Sequence, residues 1–245
     1  MFARVGGKSK IKDYIISIMP EHKIYVEPFI GGGSVFFSKN PAEVNVINDK
    51  DIEIYNMYRD MKTDGEKMIN RDFMPNRNKF NKLLKKKKFN SIADRLYRNL
   101  YITINSFASD RKTFVAEKKV EEKKNTNVGK KYKTTKWKDY LNNNNVKIFN
   151  KDFSSIIKKY DSPTTLFYLD PPYSKSSTDY DVGGIDAIKV FNALQGIKGK
   201  FILSYDALPE IKKLFNKYKI EIVTTVYEKS GERQENIKEF LIKNF

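Results

Sequence analysis

Residues 166–177 read "LFYLDPPYSKSS": an apolar run that ends on Asp170, followed by Pro171, Pro172 and Tyr173. Proline has no N–H to give a sheet ladder, so the strand stops at the carboxylate. The same pattern of an apolar strand running into a polar end recurs along the chain. "KIYVEPFIGGGSVFFSK" (23–39) gives a strand over Ile24–Glu27, a break at Gly31-Gly32-Gly33, and a helix starting at "SVFF" with Ser34 near its cap. "EVNVIND" (43–49) alternates apolar and polar residues and ends in Asp49, with a helix following from near Asp51. "VKIFNKDFSSII" (146–157) repeats strand then helix and ends its strand at Asp152. "KFILSYD" (200–206) leads into the helix "ALPEIKKLFNKY". "IEIVTTVY" (220–227) and "KEFLIKNF" (238–245), joined by the polar turn "EKSGERQEN", predict an antiparallel hairpin at the sheet edge. Before them all, Lys10 to Met19 has helical spacing and Pro20 closes it. Strands alternating with helices give an α/β fold, a mostly parallel sheet with helices on both faces.

In such sheets ligands bind outside the carboxyl ends of the strands. Glu27-Pro28-Phe29 with its glycines, Asp49, Asp152 and Asp170 all fall at those ends. Each acid alone has a structural reason to be there, as a strand terminator or a helix cap. Together with the glycine loop they point to one shared site. Glycines let a ligand approach the backbone closely, and Asp49 follows the loop by about 20 residues, the separation of an acid that binds ribose hydroxyls. Gly7 and Lys8 precede the first helix, where backbone amides and an ammonium suit an anion. A plain turn is the simpler reading of Gly6-Gly7.

Composition narrows the partners. Lys and Arg number 47 against 30 Asp and Glu, a formal charge of +17, which calls for a polyanion such as nucleic acid. A lysine-rich, AT-biased genome accounts for part of that excess. With no cysteine there is no disulfide framework or thiolate metal site, and the one histidine, His22, is an ordinary loop residue. No metal site is expected. No apolar run is long enough for a bilayer and the start lacks a signal-peptide core, so a soluble, intracellular protein with no membrane partner is expected. Residues 62–145 differ in character, being rich in Lys, Arg, Asn and aromatics, and read as a mainly helical or irregular insert. Lys118 to Lys136 has few large apolar residues and reads as mobile until DNA binds. Arg111, Lys112, Lys131 and Lys133 are contact candidates for phosphates.

"YVEPFIGGGSVFF", "VINDKDIEIYN" and "LFYLDPPY" resemble the motifs of the Dam-like (D12, alpha group) DNA adenine-N6 methyltransferases. "ARVGGKSK" resembles that family's N-terminal motif and "GERQENIKEFLI" its C-terminal one, so the likeness spans nearly the whole chain in order. The resemblance implies a Rossmann-like methyltransferase fold. Residues 1–61 and 146–245 would form the catalytic domain and 62–145 the target-recognition region. It implies S-adenosyl-L-methionine as methyl donor and double-stranded DNA as partner. The protein would be a monomer or weak dimer, in a system that can include a cognate restriction endonuclease. It would work in the cytoplasm or nucleoid of a prokaryote, or where a virus or phage replicates. Phe29, Gly31 and Gly33 would line the donor's loop, and Asp49 would hold its ribose. Asp152 and Phe153 would flank its adenine, and Lys8 would meet its carboxylate. Gly7, Glu27, Pro28 and Ser34 fall within the same binding set. Asp170, Pro171, Pro172 and Tyr173 would form the catalytic pocket.

The chemistry agrees with that placement. Adenine N6 is a poor nucleophile because its lone pair is delocalised into the ring. Asp170 and the Pro171 carbonyl would accept its two N–H bonds, Pro172 holding Pro171 extended. Tyr173 would stack on the flipped base. "INSFASDRKTF" departs from the family's middle motif, with Asn105 and Phe107 its best remnants, so no target sequence follows. Two alternatives stay open on the residues alone. One is a non-catalytic DNA-binding module on a methyltransferase scaffold. The other is transfer to a different amino nitrogen, of cytosine N4, an RNA adenine or a protein amide.

Overall fold

The computed structural model describes residues 7–107, 110–115, 134–172, 186–229 and 232–245. Its strands are β1 (Ile24–Glu27), β2 (Val44–Asn48), β3 (Val146–Phe149), β4 (Thr165–Leu169), β5 (Lys200–Asp206), β6 (Lys219–Lys229) and β7 (Glu232–Lys243). They form one sheet in the order β3-β2-β1-β4-β5-β7-β6. β1 to β5 are parallel, and β7 runs antiparallel between β5 and β6. From β1 the chain steps outward through β2 to β3. β4 then returns to the other side of β1, and this reversal opens a crevice at the carboxyl ends of β1 and β4.

Alternation within each strand supplies two dry faces. Tyr25, Ile47, Leu166, Tyr168 and Ile202 point to one core. Val26, Val46, Phe167, Leu169, Phe201 and Leu203 point to the other. The first face is covered by α1 (Lys12–Ser17), α2 (Ile52–Asp64), α3 (Arg77–Lys85), α4 (Ile92–Asn105) and α5 (Thr134–Asn143). The second is covered by α6 (Phe153–Tyr160), α7 (Ala187–Ala193) and α8 (Pro209–Leu214). Caps start many of these helices: Asp51, Asn76, Ser91, Asp152 and Asp186 each accept a first-turn backbone N–H.

The structure differs from the sequence pattern in several places. The helix at "SVFF" is a short run of turns over 34–38, because Pro41 forces Asn40 out of helical backbone and leaves room for about one turn. β3 stops at Phe149, and Asp152 lies three residues beyond it as the cap of α6. The polar turn of the last hairpin is mostly strand: β6 reaches Lys229 and β7 begins at Glu232. α7 has no counterpart in the sequence pattern, although Asp186 marks its start.

Among the described residues, those of 62–145 carry no core separate from the sheet's. Phe80, Leu96, Leu100, Phe114 and Leu141 belong to the same buried cluster as Tyr25 and Ile47. Ion pairs bolt α4 to α2. Arg95 grips the buried Asp60 with two hydrogen bonds of 2.7 and 2.8 Å. Arg98 donates to Glu53 at 2.6 Å, and Arg111 donates to the other oxygen of the same carboxylate. Removing that carboxylate takes the counter-ion from two buried guanidiniums, and breaking such a pair costs about 3 kcal/mol. Glu53→Ala should therefore lower the unfolding free energy by about that amount in urea denaturation. A wild-type midpoint would contradict the role.

Candidate active site

Four strand ends build the crevice. At the end of β2, the buried Asn48 carboxamide donates to Pro28 O at 2.9 Å and Lys151 O at 3.1 Å, and accepts from Lys151 N at 2.9 Å. One neutral side chain thus ties the loops after β1, β2 and β3 together. The next residue, Asp49, accepts from Gly31 N at 3.0 Å and from Asp51 N at 3.0 Å. It is the anchor of the glycine loop and remains partly exposed. Gly31 and Gly33 have φ of 45° and 68°, backbone that L side chains rarely adopt. A Cβ on Gly33 would lie 2.8 Å from the Tyr58 hydroxyl. That hydroxyl in turn donates to Gly31 O at 2.9 Å, so α2 holds the loop from below.

The Phe29 and Phe153 rings lie 5.1 Å apart at the ends of β1 and β3, with Phe29 partly exposed. Asp152 is exposed, but its Oδ1 is engaged by Ser154 N at 3.0 Å and Ser154 Oγ at 2.6 Å. Its structural work is capping, and Phe153 is the residue that reaches the aromatic pair. Ser34 is partly exposed on the turn after Gly33, and Gly7 leads into a 3₁₀ turn at Lys8–Lys10.

At the end of β4, Asp170 keeps 23% of its side chain exposed. Pro171 is buried behind it and Pro172 is half-buried, while Tyr173 and Ser174–Ser177 lie outside the described residues. Lys8, expected to meet an anionic ligand, turns inward instead. Its ammonium lies 2.8 Å from Asp170 Oδ1 and 3.5 Å from Glu239 Oε2, two carboxylates that neutralise it. Glu239 is a site residue that sequence reasoning missed. It occupies an ordinary polar position of an edge hairpin, and the β5–β7 register that pairs it with Asp206 brings it to the crevice.

Burial governs the electrostatics. Glu27 is pushed up to about 8 by burial, although the Tyr25 hydroxyl donates to it at 2.6 Å and Lys39 lies near. Lys39, buried with its ammonium 4.0 Å from the Tyr25 ring centre, is pulled down by burial and partly restored by Glu27. Glu239 is pushed up to about 7, again by burial first, with Lys8 opposing and Asp170 adding to it.

The nucleic-acid contact candidates separate. Asn105 is fully buried and donates to Phe73 O at 3.2 Å, so it is a structural tie. Arg111, 9% exposed with φ of 63°, is spent on Glu53. Both read as surface groups because they sit in a basic stretch, and the packing of α4 on α2 encloses them. Lys112 is exposed, as is Phe107 at 41%. Lys131, Lys133 and most of Lys118–Lys136 lie outside the described residues; Thr134 to Lys136 begin α5.

Comparison with known proteins decides the family. The model of the D12 class N6 adenine-specific DNA methyltransferases matches residues 5–229. The chain belongs to that family. It is 31% identical to the Type II methyltransferase M1.LlaDCHI of Lactococcus lactis subsp. cremoris, over 98% of this chain and 93% of that one. It is 28% identical to the Type II methyltransferase M.CviBI of Paramecium bursaria Chlorella virus NC1A, over 91% of this chain and 87% of the relative. The Type II methyltransferase M.MjaIII of Methanocaldococcus jannaschii is 25% identical over 98% and 96% of the two chains. The reaction of this methyltransferase is therefore transfer of a methyl group from S-adenosylmethionine to N6 of adenine in DNA.

The crevice fits that donor. Positive-φ glycines leave the loop short of side chains, an aromatic pair suits a purine, and Asp49 is a partly exposed acid beside the loop, of the type that accepts hydroxyl groups. Burial carries a stability cost at Glu27. Between its ordinary 4.5 and about 8, the folded methyltransferase holds a proton that the unfolded chain releases. Stability contributed by this group is complete below 4.5 and is lost as pH rises through 8, by up to ~1.4 kcal/mol per pH unit. Glu27→Gln removes that dependence and keeps an acceptor for Tyr25. The melting temperature of the Gln variant relative to wild type should rise steadily between pH 5 and pH 8, by about several degrees. A constant difference would show that Glu27 is ionised throughout.

Proposed function

We propose that Asp170 and the Pro171 carbonyl are the acceptor pair that activates the target amino group. The observation that carries this is the Asp170 carboxylate at the carboxyl end of β4, beside the switch point, already binding an amino-group donor at 2.8 Å in Lys8. An oxygen that holds an ammonium there can accept an N–H, which supports the reading. Bound S-adenosylmethionine supplies an electrophilic methyl group on a sulfonium. The rest falls to the chain. Asp170 and Pro171 accept the two N6–H bonds, which localises the nitrogen lone pair. The Asp170 charge then stabilises the positive charge that develops on N6 as the methyl–sulfur bond breaks; S-adenosylhomocysteine would leave, and N6 would lose one proton to water to restore a neutral amine. Phe29, Gly31, Gly33 and Asp49 hold the donor, with Phe153 against its purine and with Gly7, Glu27, Pro28 and Ser34 shaping the walls. Asp152 contributes by fixing the start of α6. Tyr173 is the stacking surface for the extruded base.

The DNA is double-stranded, and residues 62–145 read its sequence. The exposed lysines of α3 and the segment after it, Lys82, Lys85, Lys87 and Lys88, together with Lys112, support a phosphate-contacting face. Lys131 and Lys133 belong to the same region. The methyltransferase acts as a monomer or weak dimer inside the cell or virus-infected compartment that holds its DNA, where a cognate endonuclease is a natural companion.

Purified protein with labelled donor and DNA tests the site. Asp170→Asn should lower methyl transfer at least about 100-fold while donor binding by calorimetry changes little. An Asn variant of wild-type rate would remove Asp170 from the chemistry. Raising salt from about 50 to about 200 mM should weaken DNA binding at least tenfold, since each neutralised phosphate adds to the slope. Salt-independent affinity would contradict a basic DNA face.

A further inference from the structure

We propose that Glu239 is a positioning residue that receives the Lys8 ammonium when the target amino group takes its place on Asp170. This rests on the reading of Asp170 as the acceptor of the N6–H bond. Lys8 holds one oxygen of that acceptor, Oδ1, at 2.8 Å, so an amino group that takes the same oxygen competes with the ammonium. The ammonium has little access to water, because only 2% of the Lys8 side chain is exposed. A desolvated charge must end on another buried partner. Glu239 Oε2 is 3.5 Å away, 4% of its side chain is exposed, and among the described residues that oxygen makes no hydrogen bond. A shift of about 0.7 Å would turn the ion pair into a charge-assisted hydrogen bond.

The exchange also solves a charge problem. Positive charge grows on N6 during transfer, and an unneutralised ammonium beside it would oppose the reaction through a low dielectric. Seated on Glu239, Lys8 is neutralised and Asp170 is left to the substrate. Strand register fixes the seat: Glu239 on β7 pairs with Asp206 on β5, and β5 neighbours the strand that ends at Asp170. The groups facing Glu239 are Lys8, Asp170, Asp206 and the Tyr168 hydroxyl. Burial, Asp170 and Asp206 push its acid up to about 7, and Lys8 opposes them. Below that pH the seat is neutral and weak; above it the seat is anionic.

Single-turnover methyl transfer, measured from about pH 6 to about pH 8.5, reads this directly. The wild-type rate should rise through a step near neutrality. Glu239→Gln should be about tenfold slower at the alkaline end and lack that step, with donor and DNA affinity unchanged. Glu239→Asp, which keeps the charge, should retain the step. In a Lys8→Met background, adding Glu239→Gln should change the rate less than about twofold, because Glu239 acts through the lysine. A wild-type rate and profile in Glu239→Gln overturns the proposal. So does a full effect of Glu239→Gln in the Lys8→Met background, which would mark a merely structural glutamate. Should Glu239→Gln fail to fold, the profile of Glu239→Asp decides, and loss of its step counts against the seat. An Asp170→Asn variant that methylates at full rate would instead sink the underlying reading of Asp170, a separable result.

Discussion

Carboxylates crowd the edge of a sheet whose two faces are dry, and the arrangement of the crevice follows from the cost of desolvating them. A buried acid must protonate, find a cation or collect hydrogen bonds. Each solution is in use. Glu27 lies deepest and is pushed toward its neutral form, with a tyrosine hydroxyl on it. Asp170 and Glu239 share the Lys8 ammonium. Asp49 collects backbone amides from the glycine loop and the start of α2. Asp51 and Asp152 are spent on helix caps. Acidic side chains thus do four kinds of work, and depth plus available donors decides which.

The same cost explains why the loops are joined by a neutral group. Asn48 meets two carbonyls and one amide from the loops after β1 and β3. An acidic side chain in that buried position would add to a cluster already repelling itself, since Asp170 raises the burden on Glu27. An amide satisfies donors and acceptors at once and adds no net charge. Asn150 repeats the device nearer the surface, donating to Asp49 O and Lys50 O at 2.8 and 3.0 Å.

Much of this is legible in the chain, for physical reasons. Parallel strands buried on both faces write themselves as short apolar runs, and β1, β2, β4 and β5 are visible that way. A run of three glycines after a strand, or a proline pair there, fits few backbone arrangements. What resists is anything set by register or depth. An aspartate after a strand looks the same whether it anchors a loop, like Asp49, or caps a helix, like Asp152. Glu239 lies inside "GERQENIKEFLI" with nothing to single it out there, because the pairing of β7 with β5 brings it to Asp170. Arg111 and Asn105 mislead because a basic stretch suggests a surface, while the packing of α4 on α2 and its ion pairs turn these two inward. The last hairpin looks like a turn because backbone pairing, which needs no apolar side chains, extends it.

α2 is where these constraints meet. Its cap, Asp51, touches the loop that carries Asp49. Two residues on, Glu53 binds Arg98 and Arg111 of the proposed DNA-reading side. Tyr58 supports the glycine loop from the same helix, and Asp60 locks Arg95 of α4. A displacement of α4 against the sheet therefore cannot be absorbed by a soft linker. It must either break a buried ion pair or move the helix on which the donor loop rests. Close-packed interiors transmit such strain instead of dissipating it. The helices that follow α2 and the glycine loop are thus tied to the same helix.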